Sequence, residues 1–273
     1  MADIIEIQNR IRTFERTLNS RMTEDEISYG LLHMCDQIRI PEKPVMWSSS
    51  NKFYRARKLD SSDLNRLKGW KKDDFWEVPE EKVLDYGRLN RPHESVLYLS
   101  NSPIQTLKEI RFDSSKSIPV VISCFQVKKE FESVLVGGAY RDSVSSEDRN
   151  SVAIQNLYTD FFRNEFSKPV GLGTEYLYKL SNAIAKDFYD LPFEISKAWT
   201  YPAVDNVDNI SNYNVAFRSN VASNFIDFKG AVVLKKILKQ GAVIPICFDS
   251  NYQLFLSNNN WIKDLFGFGY KKA

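Results

Sequence analysis

Histidine, cysteine and glycine are scarce in this chain of 273 residues, with 2, 3 and 11 copies. Two histidines, His33 and His93, are too few for a multi-histidine metal site, and they count against hydrolysis through a Ser-His-Asp or Cys-His pair. Three widely spaced cysteines, Cys35, Cys124 and Cys247, form neither a disulfide framework nor a CxxC zinc pair. Cys124 and Cys247 sit in apolar runs and read as small buried hydrophobes. So few glycines exclude a glycine-rich repeat architecture. No apolar stretch reaches the ~18 residues of a spanning helix, and the first residues lack the charged-then-apolar layout of a secretory signal. The expected compartment is the cytoplasm, with no membrane partner. An excess of one charge is missing too: Lys plus Arg is 37 against 35 Asp plus Glu, a net charge of +2. The chain lacks a global basic field, so no direct nucleic-acid binding is expected. The charge runs at 66–72 and 235–239 read as solvated faces.

Apolar residues at 43% and charged residues at 26% are ordinary globular proportions. Ile4, Ile7, Ile11, Phe14 and Leu18 recur at three- and four-residue steps and predict one stripe of a helix. Such a stripe packs on its own domain or forms a seam with a second copy. Thr23 and Glu26 form a capping box that opens a second helix. Pro41, Pro44 and the Ser48-Ser49-Ser50 run then break the pattern. The expected organisation is an N-terminal helical appendage over 1–48 and one larger unit over 49–273.

Beyond that boundary, 96–99, 120–127, 231–234 and 243–248 read as strands. Segments 102–110, 150–166 and 174–188 read as helices, with Pro103 in a first turn. Segments 141–150 and 205–214 read as loops. The fold class is therefore α+β, a core of short strands with inserted helices. His33, between Leu32 and Met34, reads as a core histidine, and His93, after Pro92, as an exposed turn residue.

Arg88, Tyr98 and Glu109 follow one another by ten and then eleven residues. An arginine presents a planar fork that matches a pyrophosphate. A tyrosine stacks on a flat ring while its hydroxyl orients a ribose or a water. A carboxylate stabilises an oxocarbenium-like transition state. The trio suits N-glycosidic cleavage of a nucleotide. Spacing alone is described better by an exposed arginine, a half-buried strand tyrosine and a solvated helix glutamate.

The string Gly87-Arg88-Leu89-Asn90, six further residues, then 97–111 (LYLSNSPIQTLKEIR) closely resembles the core motif of the RES-domain family. Tyr54-Arg55 resembles that family's opening strand, 178–185 its Tyr-x-x-Thr-Gln helix start, and Tyr201-Pro202-Ala203 with Asn214-Val215-Ala216-Phe217 its Tyr-Pro-Ser and Asn-x-x-Phe segments. The likeness spans roughly 50–238 and is closest over 87–111; it leaves the first fifty residues unexplained. It implies an ADP-ribosyltransferase-like fold and the activity of NAD-degrading toxins of toxin–antitoxin pairs. It carries the catalytic roles onto Arg88, Tyr98 and Glu109, and substrate contacts onto Tyr54, Arg55, Asn90 and Tyr201. The family's serine falls on Ala203, which has no hydroxyl; Ser211 and Ser219 lie nearby in sequence. The implied reaction cleaves the nicotinamide bond of NAD, with water or inorganic phosphate as acceptor and no cofactor beyond NAD itself. Two alternatives stay open: transfer of ADP-ribose to a protein or nucleic acid, and a non-catalytic nucleotide-binding module. A cognate antitoxin protein is the implied partner, and self-association is compatible with the N-terminal stripe.

Overall fold

The computed structural model describes residues 3–36, 40, 42–113, 115–116, 118–138, 149–171, 173–203, 212–234, 246–256 and 259–268. The readings made for 141–148, 205–211, 235–239 and 243–245 lie outside them.

Helices α1 (Ile4–Thr17) and α2 (Glu24–Cys35) open the chain. In α1, Ile7 and Phe14 are buried and Ile4 and Ile11 pack beside them, so the predicted stripe faces the protein's own core. The capping box is formed: Thr23 Oγ1 accepts from the Glu26 N–H, and Glu26 accepts from the Thr23 N–H. His33 is exposed, contrary to expectation. The helical period turns Leu31 and Met34 inward and leaves Leu32 and His33 outside. His93 is exposed in a turn with φ of 64°.

The strands are β1 (Lys43–Trp47), β2 (Lys52–Lys58), β3 (Val96–Ser100), β4 (Val120–Val127), β5 (Phe131–Leu135), β6 (Ala198–Pro202), β7 (Tyr213–Arg218), β8 (Ile226–Leu234), β9 (Ile246–Phe248) and β10 (Leu254–Leu256). They form one sheet in the order β1-β5-β6-β7-β3-β2-β4-β8-β9-β10, antiparallel except for the β5–β6 pair. Helices α3 (Ser61–Arg66), α4 (Pro103–Glu109), α5 (Arg149–Ser167), α6 (Tyr176–Phe188) and α7 (Asn259–Phe266) are inserted between the strands or follow them. The chain is α+β, as expected. Two local readings change. Tyr213 and Asn214, expected in a loop, begin β7, where Asn214 pairs with Ser100 and Tyr201. The N-terminal stretch is not wholly helical, because β1 pairs with β5 at one end of the sheet.

Alternation along the strands divides the core. On one face, Trp47, Phe53, Trp70, Phe75, Phe125 and Phe228 belong to a largely aromatic cluster. On the other face lie two clusters. The first joins α1, α2, α5 and α6 through Ile7, Ile27, Phe162 and Ile184. The second joins β2, β4 and β8 to α7 through Tyr54, Ile122, Val232 and Phe266. Between them β2 and β3 share a single paired position, Tyr54 with Ser100, although β2 pairs with β4 along its whole length. The sheet splits there, and the split opens a cleft.

Candidate active site

The cleft is a cavity of about 520 Å³, lined by both separating strands, the 82–90 segment, α4 and α6. Such a volume is in the usual range for small-molecule sites. All seven residues singled out in the sequence line it: Arg88, Tyr98, Glu109, Tyr54, Arg55, Asn90 and Tyr201. Their individual environments differ sharply.

The Gly87–Asn90 turn is closed by the Gly87 N–H donating to the Asn90 carbonyl at 2.9 Å. Tyr98, reaching up from β3, completes it. Its hydroxyl accepts from the Leu89 N–H at 2.7 Å and donates to Asn90 Oδ1 at 2.9 Å. Asn90 Nδ2 donates in turn to the carbonyls of Asp85 and Arg91. From α6, buried Asn182 donates to the carbonyls of Gly87, at 2.6 Å, and Asn90, at 3.2 Å. A Cβ at Gly87 would lie 2.1 Å from Asn90 Oδ1, so glycine is required by close approach. Thus Tyr98 presents its ring to the cavity, but its hydroxyl, expected to orient a ribose or water, is engaged within the turn. Burial pushes its phenol pKa well up.

Arg88 is half-buried beside this turn. It donates to the carbonyls of Phe166 and, at 3.0 Å, Lys168, at the C-terminal end of α5 where the helix dipole favours a cation. Two of the five guanidinium N–H groups are thereby engaged. The rings of Phe166 and Tyr178 lie within about 6 Å of its charge, in cation–π range.

Arg55 is different. It is half-buried on β2, lines the cavity, and makes no hydrogen bond or ion pair with any described residue. Burial, and then the neighbouring charge of Arg57, lower its guanidinium pKa to about 10, with Glu77 opposing them. A cation held in that state is stabilised by an incoming anion. Tyr201 on β6 is buried edge-on against Phe166, with ring centroids 5.1 Å apart, and its hydroxyl has no hydrogen-bond partner among the described residues. Burial raises its pKa, and Tyr98, Glu109, Arg88 and Tyr178 are all near enough to act on it, which places these side chains around one space.

Glu109 ends α4, whose N-cap Ser102 and first-turn Pro103 match the sequence signals. The residue is exposed at the cleft. Its Oε1 accepts from Asn214 Nδ2 at 2.9 Å and Gln105 Nε2 at 3.3 Å. Asn214 is buried on β7, and its Oδ1 has no hydrogen-bond partner among the described residues. Tyr54 borders the cavity, but its hydroxyl donates to the Leu265 carbonyl at 2.9 Å and its ring packs on Phe266, pinning α7.

Tyr178 and Asn214 also line the cavity. Both fall in stretches that carry the family resemblance, but neither was singled out from sequence, because their approach depends on α6 and β7 docking beside β3. Ala203 is buried and is not part of the lining. Ser219 lines a separate cavity of about 360 Å³, and Ser211 lies outside the described residues. Among the described residues no cluster of His, Cys, Asp and Glu is arranged to hold a metal, and no helix is long and apolar enough to cross a membrane.

No protein-family model and no curated protein matches the chain. Among solved structures it is similar to a chain of the M. tuberculosis MbcT–MbcA toxin–antitoxin complex, at 12% identity and a TM-score of 0.39, covering 78% of this chain and 94% of that one.

Proposed function

We propose that the cleft binds NAD and cleaves its nicotinamide N-glycosidic bond. The observation that carries this reading is the gathering of the Tyr201 hydroxyl, the oriented Glu109 carboxylate and the Arg88 guanidinium around one space in a cavity of about 520 Å³, with the unpaired Arg55 also in its lining. The sequence resemblance over 87–111 supports it independently.

In this reading Arg55 binds the pyrophosphate, with Arg88 as the second cation at the turn. Tyr98 and Tyr201 wall the nicotinamide riboside. Glu109, held by Asn214, faces the anomeric carbon. Glu109 is solvent-exposed, and its field strengthens as the substrate displaces water from the cleft. The C–N bond breaks with its electron pair leaving on the ring nitrogen, which discharges the pyridinium. The oxocarbenium-like centre left behind is stabilised by the carboxylate. A water oxygen then bonds to that carbon and its proton passes to solvent; with phosphate as acceptor, a phosphate oxygen forms the new bond instead. By the same resemblance, the protein acts as a cytoplasmic toxin restrained by a cognate antitoxin.

The test is NAD concentration against time with the purified chain, with and without phosphate. Loss of NAD with release of nicotinamide supports the reading, and a phosphorylated ADP-ribose product identifies phosphate as acceptor. Label from NAD retained on a macromolecule would assign a transferase instead. Binding of NAD without turnover would leave a nucleotide-binding module.

A further inference from the structure

One buried carboxylate of the first helices reaches the segment beside the cleft. Glu24 occupies the first turn of α2 and is only 9% exposed. It receives a forked contact from Arg91: Nε lies 3.0 Å from both carboxylate oxygens, and Nη2 lies 2.9 Å from Oε1. Tyr86 lies near the same carboxylate, and burial, then Glu24, raises its phenol pKa. Tyr86 and Arg91 flank the turn that carries Arg88 and Asn90, and Tyr86 itself lines the cavity. Glu94 extends the contact, accepting from the Arg91 N–H at 3.0 Å and pairing with Lys186 of α6 at 3.3 Å.

The turn is therefore gripped from two sides. Tyr98 and Asn182 hold it from the sheet and α6. Glu24 holds its C-terminal end, through Arg91, from α2. An exposed ion pair contributes at most about 1 kcal/mol and constrains little. A forked arginine on a buried carboxylate at a helix N-terminus fixes direction as well as distance.

We infer that Glu24 is a positioning residue for the nucleotide site, and that the N-terminal helices serve to hold the 85–91 turn in its binding geometry. The inference rests on the cleft being that site. Glu24 touches no substrate; it acts through Arg91.

The experiment is hydrogen–deuterium exchange on the full chain without NAD, followed by steady-state kinetics. Glu24→Ala is expected to speed exchange over 85–91 about tenfold while β3 and α6 keep their protection. Glu24→Gln, which keeps the size of the side chain, and Arg91→Lys, which keeps the charge but loses the fork, are expected to move the same segment less. Ser28→Ala removes another link between α2 and α6, the hydroxyl bond to Asp187, and is expected to leave 85–91 unchanged. In turnover, Glu24→Ala should raise KM for NAD about tenfold with kcat within about twofold, the pattern of lost ground-state positioning. Unchanged exchange over 85–91 in all three variants, equal loosening of β3 and α6, or a fall in kcat at constant KM would overturn the inference. Exchange is read without substrate, so a wild-type chain that leaves NAD intact defeats the functional reading while the exchange result still stands.

Discussion

Arg88, Asn90 and Tyr98 are tied to one another's backbone or to α5 and α6, whereas Arg55 and Tyr201, lining the same cavity, have no hydrogen-bond partner among the described residues. Both groups are polar, and both were singled out through the same family resemblance. The difference separates two duties. A buried polar group left without a partner costs about 1–3 kcal/mol, so satisfied groups build rigid geometry and unsatisfied ones at a cavity wait for a ligand. The turn is scaffold, and Arg55 and Tyr201 are the receptive groups. Glu109 stands between the two, oriented by Asn214 yet open to solvent.

The sharpest way to break this comparison is at Glu109. Glu109→Gln keeps an acceptor for Asn214 but loses the charge, and NAD loss is expected to fall about 10³-fold with the melting temperature unchanged. Wild-type turnover in that variant would remove Glu109 from the reaction. Next, Arg55→Ala is expected to raise KM for NAD about 10²-fold, since a charge-assisted contact is lost. Its melting temperature should hold or rise, because the removed cation had no partner to lose. Arg88→Ala, by contrast, should lower both turnover and melting temperature, as the carbonyls of Phe166 and Lys168 lose their donor.

A smaller effect separates two tyrosines by stability alone. Tyr98→Phe strands the Leu89 N–H and is expected to destabilise by about 1–3 kcal/mol in denaturant unfolding. Tyr201→Phe loses no internal bond and should stay within about 0.5 kcal/mol. Equal losses would erase the distinction between scaffold and receptive groups.

The smallest effect tests the scaffold's own weak point. Glu165 is buried, with Oε2 unpartnered among the described residues, and burial raises its pKa despite the ion pair with Lys168. The folded state therefore holds its proton more tightly than the unfolded chain. Stability from this group is present below the unfolded pKa and is lost as pH rises through the folded one. Glu165→Gln, which cannot ionise, should melt higher than wild type at neutral pH, and the advantage should vanish in acid. A gain independent of pH would rule out this cause.

Much of the site was legible because its residues cluster in short motifs. Gly87, Arg88 and Asn90 occupy one turn, and Ser102, Pro103 and Glu109 one helix with its own cap and start signals. Their hydrogen-bond duties were not legible. Tyr98 and Tyr201 look alike as strand tyrosines, yet one meets a turn and the other an open space. His33 was misread because apolar neighbours in sequence are not neighbours on a helix surface.

The amino-acid sequence by itself determined the α+β class, the cap of α2 and the apolar stripe of α1, because helical period, strand alternation and capping are set by residues a few positions apart, while the family resemblance pointed to residues around the cleft. Only the tertiary structure decided which of those residues are engaged and which are available. That choice depends on β2 parting from β3, on α5 and α6 offering carbonyls and Asn182, and on α2 bringing Glu24 to Arg91. Those contacts join residues 67 to 95 positions apart, and no local pattern records them.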